Sequence, residues 1–365
     1  MDGNFDQARN FFLQGLDHYQ GERFTEAERC FAASLALVPG RASTLTNLGA
    51  MRLKLGKYQD AADLLQEAVS QEPANVEALG HLATALAELG YAGQALERAD
   101  QALRFNPQLA PVWGLRGTLL RDMGRLPEAR QSFEKAIACG GDTELNRYYL
   151  ASVSGQDAPP TAPAEYVQAL FDGYAEGFEE HLVEVLNYRA PEILAAELAR
   201  SGRKFARALD LGCGTGLCGL RLRPLVAALD GVDLSANMVE RAAMRGVYDE
   251  LAQAVLVSYL STTQHRYDLV VAADVFIYVG ALEKVFAGLA RVLDAGGLFC
   301  FSVEAAPQDS QAPVLRPSLR YAHSLRYVRK LAGEWGFELT TTAEHPIRKD
   351  QGTPIPGLFA WLVRR

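Results

Sequence analysis

Ala208-Leu209-Asp210-Leu211-Gly212-Cys213-Gly214-Thr215-Gly216 decides the fold of half this chain. A short apolar strand runs without a spacer into three glycines, each two residues from the next. In an open parallel sheet, ligands sit beyond the C-terminal ends of the strands. Glycines there let the backbone bend sharply and approach a ligand with no Cβ in the way. A second apolar run ends Gly231-Val232-Asp233-Leu234, with Asp233 standing 23 residues after Asp210. A carboxylate at that place can accept hydrogen bonds from both hydroxyls of a ribose.

Outward from this stretch, strands and helices alternate. Ser235 is placed to cap a helix through about Arg245. The pattern predicts strand three at Ala254–Ser258 and strand four at Asp268–Ala273, ending at Asp274. A helix follows to about Leu293, Gly296-Gly297 stops it, and strand five is Leu298–Val303. Apolar strands alternating with helices predict a doubly wound sheet. Gly214-Thr215-Gly216-Leu217-Cys218-Gly219 also fits the G-x-G-x-x-G of nicotinamide and flavin enzymes. In that register Asp210 and Gly212 would fall inside the strand, where they fit poorly.

The first half of the chain repeats itself. Ala27, Ala61, Ala95 and Ala129 are 34 residues apart. So are Gly15, Gly49, Ala83 and Gly117; Ser34, Ala68, Ala102 and Ala136; and Pro39, Pro73, Pro107 and Gly141. Small residues let two helices approach, glycines at Gly21, Gly56, Gly90 and Gly124 end the first helix of each pair, and proline closes the second. One such hairpin cannot bury its apolar face, but stacked neighbours can.

Composition narrows the partners. Lys and Arg number 36 against 44 Asp and Glu, a net charge of −8. Both halves are mildly acidic and hold no basic run, so nucleic acid is not the expected partner. No apolar run reaches membrane-spanning length and the N-terminus lacks a signal-peptide pattern, so a cytoplasmic protein with no membrane contact is expected. Cys30, Cys139, Cys213, Cys218 and Cys300 are read as reduced, and no zinc spacing occurs.

The 34-residue period resembles the tetratricopeptide (TPR) repeat, over about residues 8–141. Asp-x-Gly-x-Gly-x-Gly at Asp210–Gly216, with the acid that ends strand two, resembles motif I and its partner in class I S-adenosylmethionine (SAM) dependent methyltransferases. Tyr267-Asp268-Leu269-Val270 through Asp274 resembles their motif IV, and Arg291–Phe299 their helix-to-strand-five step. Trp335–Glu338 and Gly357–Val363 fit the antiparallel strands six and seven. Phe171–Phe178, on to His181, resembles the N-terminal helical lid of bacterial predicted TPR-methyltransferases.

These resemblances imply an α + α/β chain: an N-terminal TPR α-solenoid, then a Rossmann-like class I methyltransferase domain. Its sheet is expected to be seven-stranded and mostly parallel, with an antiparallel last strand. The expected divisions are residues 1–153 (four repeats and a capping helix from Asp142 to Val153), a linker at 154–164, and the methyltransferase domain at 165–365 with lid helices in 165–200. SAM is the implied cofactor and S-adenosylhomocysteine the product. The implied cofactor contacts are Asp210, Gly212, Cys213, Gly214 and Gly216 in the loop, Asp233 and Leu234 at the ribose, Met238, Ser258 and Tyr259 at the adenine, and Asp274 at the methionine amine or the substrate. Tyr174 and Phe178 are candidates to cover the methyl group, and His323 is the candidate base in a polar loop with Arg316, Arg320 and Tyr321.

Methyl transfer needs positioning and dryness more than acid–base chemistry. No metal is expected, because Asp274 is followed by Val275, Phe276 and Ile277 and not by the Asp-Asn pair of metal-dependent relatives. By the TPR register the concave face includes Arg9, Phe12, Leu16, Tyr19, Thr46, Ala50, Leu53, Gly80, Thr84, Gly114, Thr118 and Arg121. That neutral face is expected either to receive a protein or peptide partner or to pack on the second domain. Three functions remain open at this stage: methylation of a recruited protein or carrier-bound substrate, methylation of a small molecule, and a SAM-binding scaffold without turnover.

Overall fold

The computed structural model describes residues 2–156, 158–174, 186–350 and 352–365, with the side chains of 2, 173 and 174 left out. The chain divides into two compact units, Met1–Ser154 and Gly155–Arg365.

The first unit is built from helices alone. Four helical hairpins pair α1 (Asp2–Gln20) with α2 (Phe24–Leu37), α3 (Ala42–Lys54) with α4 (Tyr58–Gln71), α5 (Val76–Glu88) with α6 (Ala92–Phe105), and α7 (Ala110–Asp122) with α8 (Leu126–Ala138). Helix α9 (Glu144–Ser154) follows and buries Tyr148. The four alanines at Ala27, Ala61, Ala95 and Ala129 are wholly buried. The turn after each first helix needs one left-handed residue. Gly56, Gly90 and Gly124 supply it in three repeats. In the first repeat the left-handed residue is Glu22 (φ 58°), not the expected Gly21, which lies one place early.

Each hairpin closes on a size-matched pair. A Cβ on Gly15 would fall 2.7 Å from Phe31, one on Gly49 2.6 Å from Leu65, and one on Gly117 2.5 Å from Phe133. At the equivalent place in the third repeat stand Ala83 and Ala99, both wholly buried. A large residue on the second helix thus goes with glycine on the first, and alanine goes with alanine. The expected groove is only partly a free surface. Thr46 is buried, its hydroxyl bonded to the Ala42 carbonyl. Gly80 and Gly114 lie close to Val112 and Asn146.

The second unit is a three-layer α/β sandwich. Strands β1 (Phe205–Leu211), β2 (Val226–Asp233), β3 (Glu250–Gln253), β4 (Tyr267–Ala272), β5 (Leu293–Ala305), β6 (Val314–Leu315), β7 (Tyr321–His323), β8 (Phe337–Asp350) and β9 (Thr353–Arg364) form one sheet. Its order is β3-β2-β1-β4-β5-β7-β6, with β9 antiparallel on β5 and β8 antiparallel on β9. The sheet therefore has nine strands and not seven. The additions are the short pair β6–β7, which extends the C-terminal end of β5.

Among the described residues the α-helices of this unit are α10 (Ala164–Tyr174), α11 (Ala190–Arg200), α12 (Leu217–Leu222), α13 (Ala236–Met244), α14 (Leu256–Thr262), α15 (Glu283–Val292) and α16 (Leu325–Glu334). One face of the sheet presents Leu209, Val232, Val270 and Phe299 to a core shared with Leu260, Phe286 and Leu331. The other presents Ala208, Leu269 and Phe359 to a core shared with Leu194, Leu198 and Leu222. Alternation along each strand, period two, sends neighbours to opposite faces.

Two expectations need correction here. Strand three is Glu250–Gln253, and Val255 onward begins helix α14. Val255 is the exposed cap of that helix, and Leu256 and Val257 pack against the core from its first turn. The segment expected as a linker is partly tied to the second unit: Tyr321 donates to the Pro159 carbonyl, Ala281 N–H to Pro160, and Ala162 N–H to Tyr278.

Overpacking a filled site costs about 1–3 kcal/mol. Gly117→Ala is expected to destabilise the chain by about that amount in urea unfolding. Ala99→Leu should do the same alone, and less when combined with Ala83→Gly. Additive effects of that last pair would refute the size matching.

Candidate functional site

The C-terminal ends of β1, β2, β3, β4 and β5 lie side by side, and the glycine loop, Asp233, Leu234 and Asp274 lie there. The loop after β1 is held from two sides. Gly212 and Cys213 both donate their N–H groups to the Val232 carbonyl, at 2.8 and 3.0 Å. Gly214 donates its N–H to Asp233 Oδ2 at 2.9 Å, while Asp233 Oδ1 accepts from Ser235 N–H at 3.0 Å. Asp233 thus ties the glycine turn to the start of α13, whose cap, Ser235, accepts from Met238 N–H.

Gly212, Gly214 and Gly216 have φ of 75°, 52° and 90°, a region that favours glycine. A Cβ on Gly212 would collide with Val275. Among the described residues, a Cβ on Gly214 would meet nothing within 4 Å, so the turn is open toward them at this point. Cys213 is buried, and Thr215 Oγ1 is buried with no partner among the described residues.

Asp210 is wholly buried and accepts from the Tyr248 hydroxyl at 2.7 Å. Burial pushes its carboxyl up to about 7; the Tyr248 bond opposes this and nearby Asp233 adds to it. The Tyr248 ring lies where a Cβ on Gly216, Gly219 or Gly231 would sit. Gly219, the third glycine of the apparent dinucleotide pattern, therefore makes room for a tyrosine of the protein itself. Burial also raises the Asp233 carboxyl, against three backbone donors.

Other candidates fall in different places. Leu234 is half-buried and Met238 is buried at the first turn of α13. Ser258 is exposed on α14. Tyr259 turns away, its hydroxyl 2.9 Å from that of Tyr267 at the start of β4. Neither lies at the end of β3. Gln253 does: it is in register with Asp233 and donates Nε2 to the Leu234 carbonyl at 3.2 Å. Tyr174, Phe178 and His181 have side chains outside the described residues. The end of α10 still reaches the site, because Asp172 accepts from the Ser235 hydroxyl and its carbonyl from Asn237.

His323 is corrected from loop base to core residue. It belongs to β7, is wholly buried, donates Nε2 to the Gly280 carbonyl at 2.9 Å and stacks on Tyr327. Burial holds its pKa down at about 4, so the ring is neutral at physiological pH. Asp274 stands at the end of β4 with φ 58°. It pairs with Arg348, a residue of β8 that is 3 % exposed and also pairs with Glu304 at the end of β5. Glu304 in turn accepts from Arg316 at 2.7 Å. Arg348 went unread in the sequence. The only signal was Glu304 itself, an acid closing an apolar strand.

One group has ligand-like spacing for a metal among the described residues: Asp230, Glu250 and His265. It lies toward the opposite ends of the strands, and Arg207 already bonds both carboxylates, at 2.8 and 2.7 Å.

A methyltransferase-domain family model matches residues 209–301. Tetratricopeptide-repeat models match residues 12–76, 52–119 and 110–138. The malonyl-[acyl-carrier protein] O-methyltransferase of Enterobacter lignolyticus is 29% identical over 161 residues, 44% of this chain and 61% of that protein. The enzyme of the same name from Geobacter sulfurreducens is 34% identical over 119 residues, 32% of this chain and 45% of that protein. The chain spans less than two thirds of the length of these curated relatives. Among solved structures, magnesium protoporphyrin IX methyltransferase from Synechocystis PCC 6803 with bound SAM aligns with 48% of this chain and 79% of its own, at 21% identity and a TM-score of 0.38. Among the described residues no helix is long and apolar enough to cross a membrane.

The Asp210 carboxyl has a pH signature. Its folded pKa lies above the unfolded value of about 4, so its stabilising effect is full below about pH 4 and is lost as pH rises toward about 7. Asp210→Asn is expected to remove that decline. In urea unfolding of the unliganded protein, the variant should gain on the parent across this window. A constant difference would refute the buried, high-pKa carboxyl.

Proposed function

We propose that this chain, a TPR-repeat protein with a methyltransferase domain, transfers the methyl group of SAM to an acceptor held beyond the ends of β4 and β5. The observation that carries the reading is the bond from Gly214 N–H to Asp233, which holds a glycine turn between two strand ends, open toward the other described residues. The residues there fit the cofactor. The turn offers backbone without side chains, Asp233 offers carboxylate oxygens for a ribose diol, and Thr215 has an unused hydroxyl. Gln253 offers an amide beside Asp233 for the edge of a base, in place of Ser258 and Tyr259.

When bound, SAM supplies a methyl group already activated on a sulfonium. The protein's share is then to hold the two reactants in line and keep water out. The loop bonds to Val232 and Asp233 fix the floor of the site, and Asp172 joins the lid helix α10 to its edge. Leu234 and Met238 line the ribose side of this reading, with Met238 buried beneath.

The TPR array gives the chain a repeat architecture suited to binding an extended partner. The reading assigns it the recruitment of a protein or carrier-bound acceptor. The names of the two curated relatives, which specify an acyl-carrier protein, support a carrier-bound acceptor. The reading also places the protein in the cytoplasm, which suits five free cysteines.

Titration with SAM and S-adenosylhomocysteine by calorimetry tests the proposal. Both ligands should bind saturably, and Asp233→Ala should weaken them by about 1.4 kcal/mol or more, tenfold in affinity. Absence of binding by folded protein would refute the site.

A further inference from the structure

We propose that Asp274, held by Arg348, accepts the proton of the methyl acceptor, and that the site selects an acceptor bearing O–H or N–H over one bearing a carboxylate. This rests on the methyl-transfer reading above and adds its substrate class.

Asp274 is built for such a role. It follows β4, and the next residue, Val275, packs against Gly212 of the glycine loop. It keeps a left-handed φ of 58°, uncommon for a residue with a Cβ though tolerated by Asp. Its backbone N–H is held by Ser302 Oγ at 2.9 Å. Its side chain is only 8% exposed. One oxygen, Oδ2, pairs with Arg348. The other, Oδ1, is buried and has no hydrogen-bond partner among the described residues. A buried carboxylate oxygen without a donor is costly, and an acceptor's O–H or N–H would supply the missing donor.

Among the described residues, the charges at these strand ends disfavour the alternative. Arg348 faces Asp274 and Glu304, Arg316 faces Glu304, and Arg320 faces Asp350 at 3.4 Å. Each of these arginines already has a carboxylate. A carboxylate acceptor would enter beside Asp274 and Glu304 without a cation of its own. Among the described residues, the groups facing Asp274 are Arg348 from β8, Glu304 from β5, Arg320 ahead of β7, Tyr188 ahead of α11 and Tyr278 after β4. Burial raises the Asp274 carboxyl, Arg348 opposes this, and Glu304 adds to it. A carboxylate with raised proton affinity is the better base.

The step balances as follows. The acceptor's lone pair forms a bond to the methyl carbon as the carbon–sulfur bond breaks. That electron pair stays on sulfur, giving S-adenosylhomocysteine, and the acceptor's proton passes to Asp274 Oδ1. Arg348 is a positioning residue, since it acts through Asp274.

Tritium-labelled methyl from SAM is offered to a bacterial cell extract with the full chain, and the products are treated with mild alkali. Methyl esters of carboxylates release methanol; ethers and N-methyl groups keep the label. Alkali-stable label is expected, a result that needs no variant to fold. Asp274→Asn should bind SAM in calorimetry yet lower the rate by about 100-fold. Arg348→Lys should move the acid limb of the pH profile, which lost packing alone would not. In the unliganded protein, infrared difference spectra between the parent and Asp274→Asn should show a carboxyl titrating above the ordinary range. Alkali-labile label, an Asp274→Asn rate within about threefold of the parent, or a carboxyl in the ordinary range each overturns the proposal. Failure to bind SAM overturns instead the reading beneath it, and binding without label in any product overturns both.

Discussion

One buried guanidinium holds the C-terminal ends of β4 and β5 together. Arg348 comes from the long β8–β9 hairpin, and its two carboxylate partners close β4 and β5. A buried cation is tolerable only when matched, and removing one partner leaves the other uncompensated, at a cost of about 3–5 kcal/mol. The matching therefore fixes where the hairpin ends and where β4 turns. It places Asp274 in its left-handed conformation and Val275 against Gly212. The glycine loop, tied on its other side to Val232 and Asp233, inherits its position from both constraints.

The sheet's remaining features follow from alternation and size. Residues along β1 go in turn to the two cores, so Asp210 points at Tyr248 while its neighbours Leu209 and Leu211 face the other layer. Tyr248 fills a bay left by three glycines. The buried Asp210–Tyr248 bond sits beneath the loop that the cofactor would touch. Two acids with different surroundings thus stand close together: Asp210 facing a phenol, Asp233 facing backbone N–H groups.

Most of the architecture was legible because its signals are periodic or conformational. A 34-residue interval held in several registers has no other simple source, and Asp210–Gly216 carries its turn in its glycines. The misreadings came from short elements. Val255–Val257 is apolar, with two β-branched valines, which reads as strand, while the true β3 is four residues of mixed polarity at the sheet's edge. That shift set the end of strand three at Ser258, five residues beyond Gln253, where β3 ends. Tyr321–His323 is too short for alternation to show, so His323 read as loop. Arg348 was hidden for a different reason. It sits among Glu344, His345, Lys349 and Asp350, a run that resembles a solvated turn, and its meaning comes only from partners 44 and 74 residues away.

The matched pairs in the helical half bear on how such an array can change over time. Gly15 with Phe31, Gly49 with Leu65, Ala83 with Ala99 and Gly117 with Phe133 are each contained within one hairpin. A whole hairpin carries its own complement wherever it is copied. Recombination of the third hairpin with another, at the turn inside the hairpin, would join a glycine to an alanine, leaving a void, or an alanine to a leucine or phenylalanine, leaving a clash. Exchange is therefore favoured at the junctions between repeats, and the two members of a pair are expected to be inherited together.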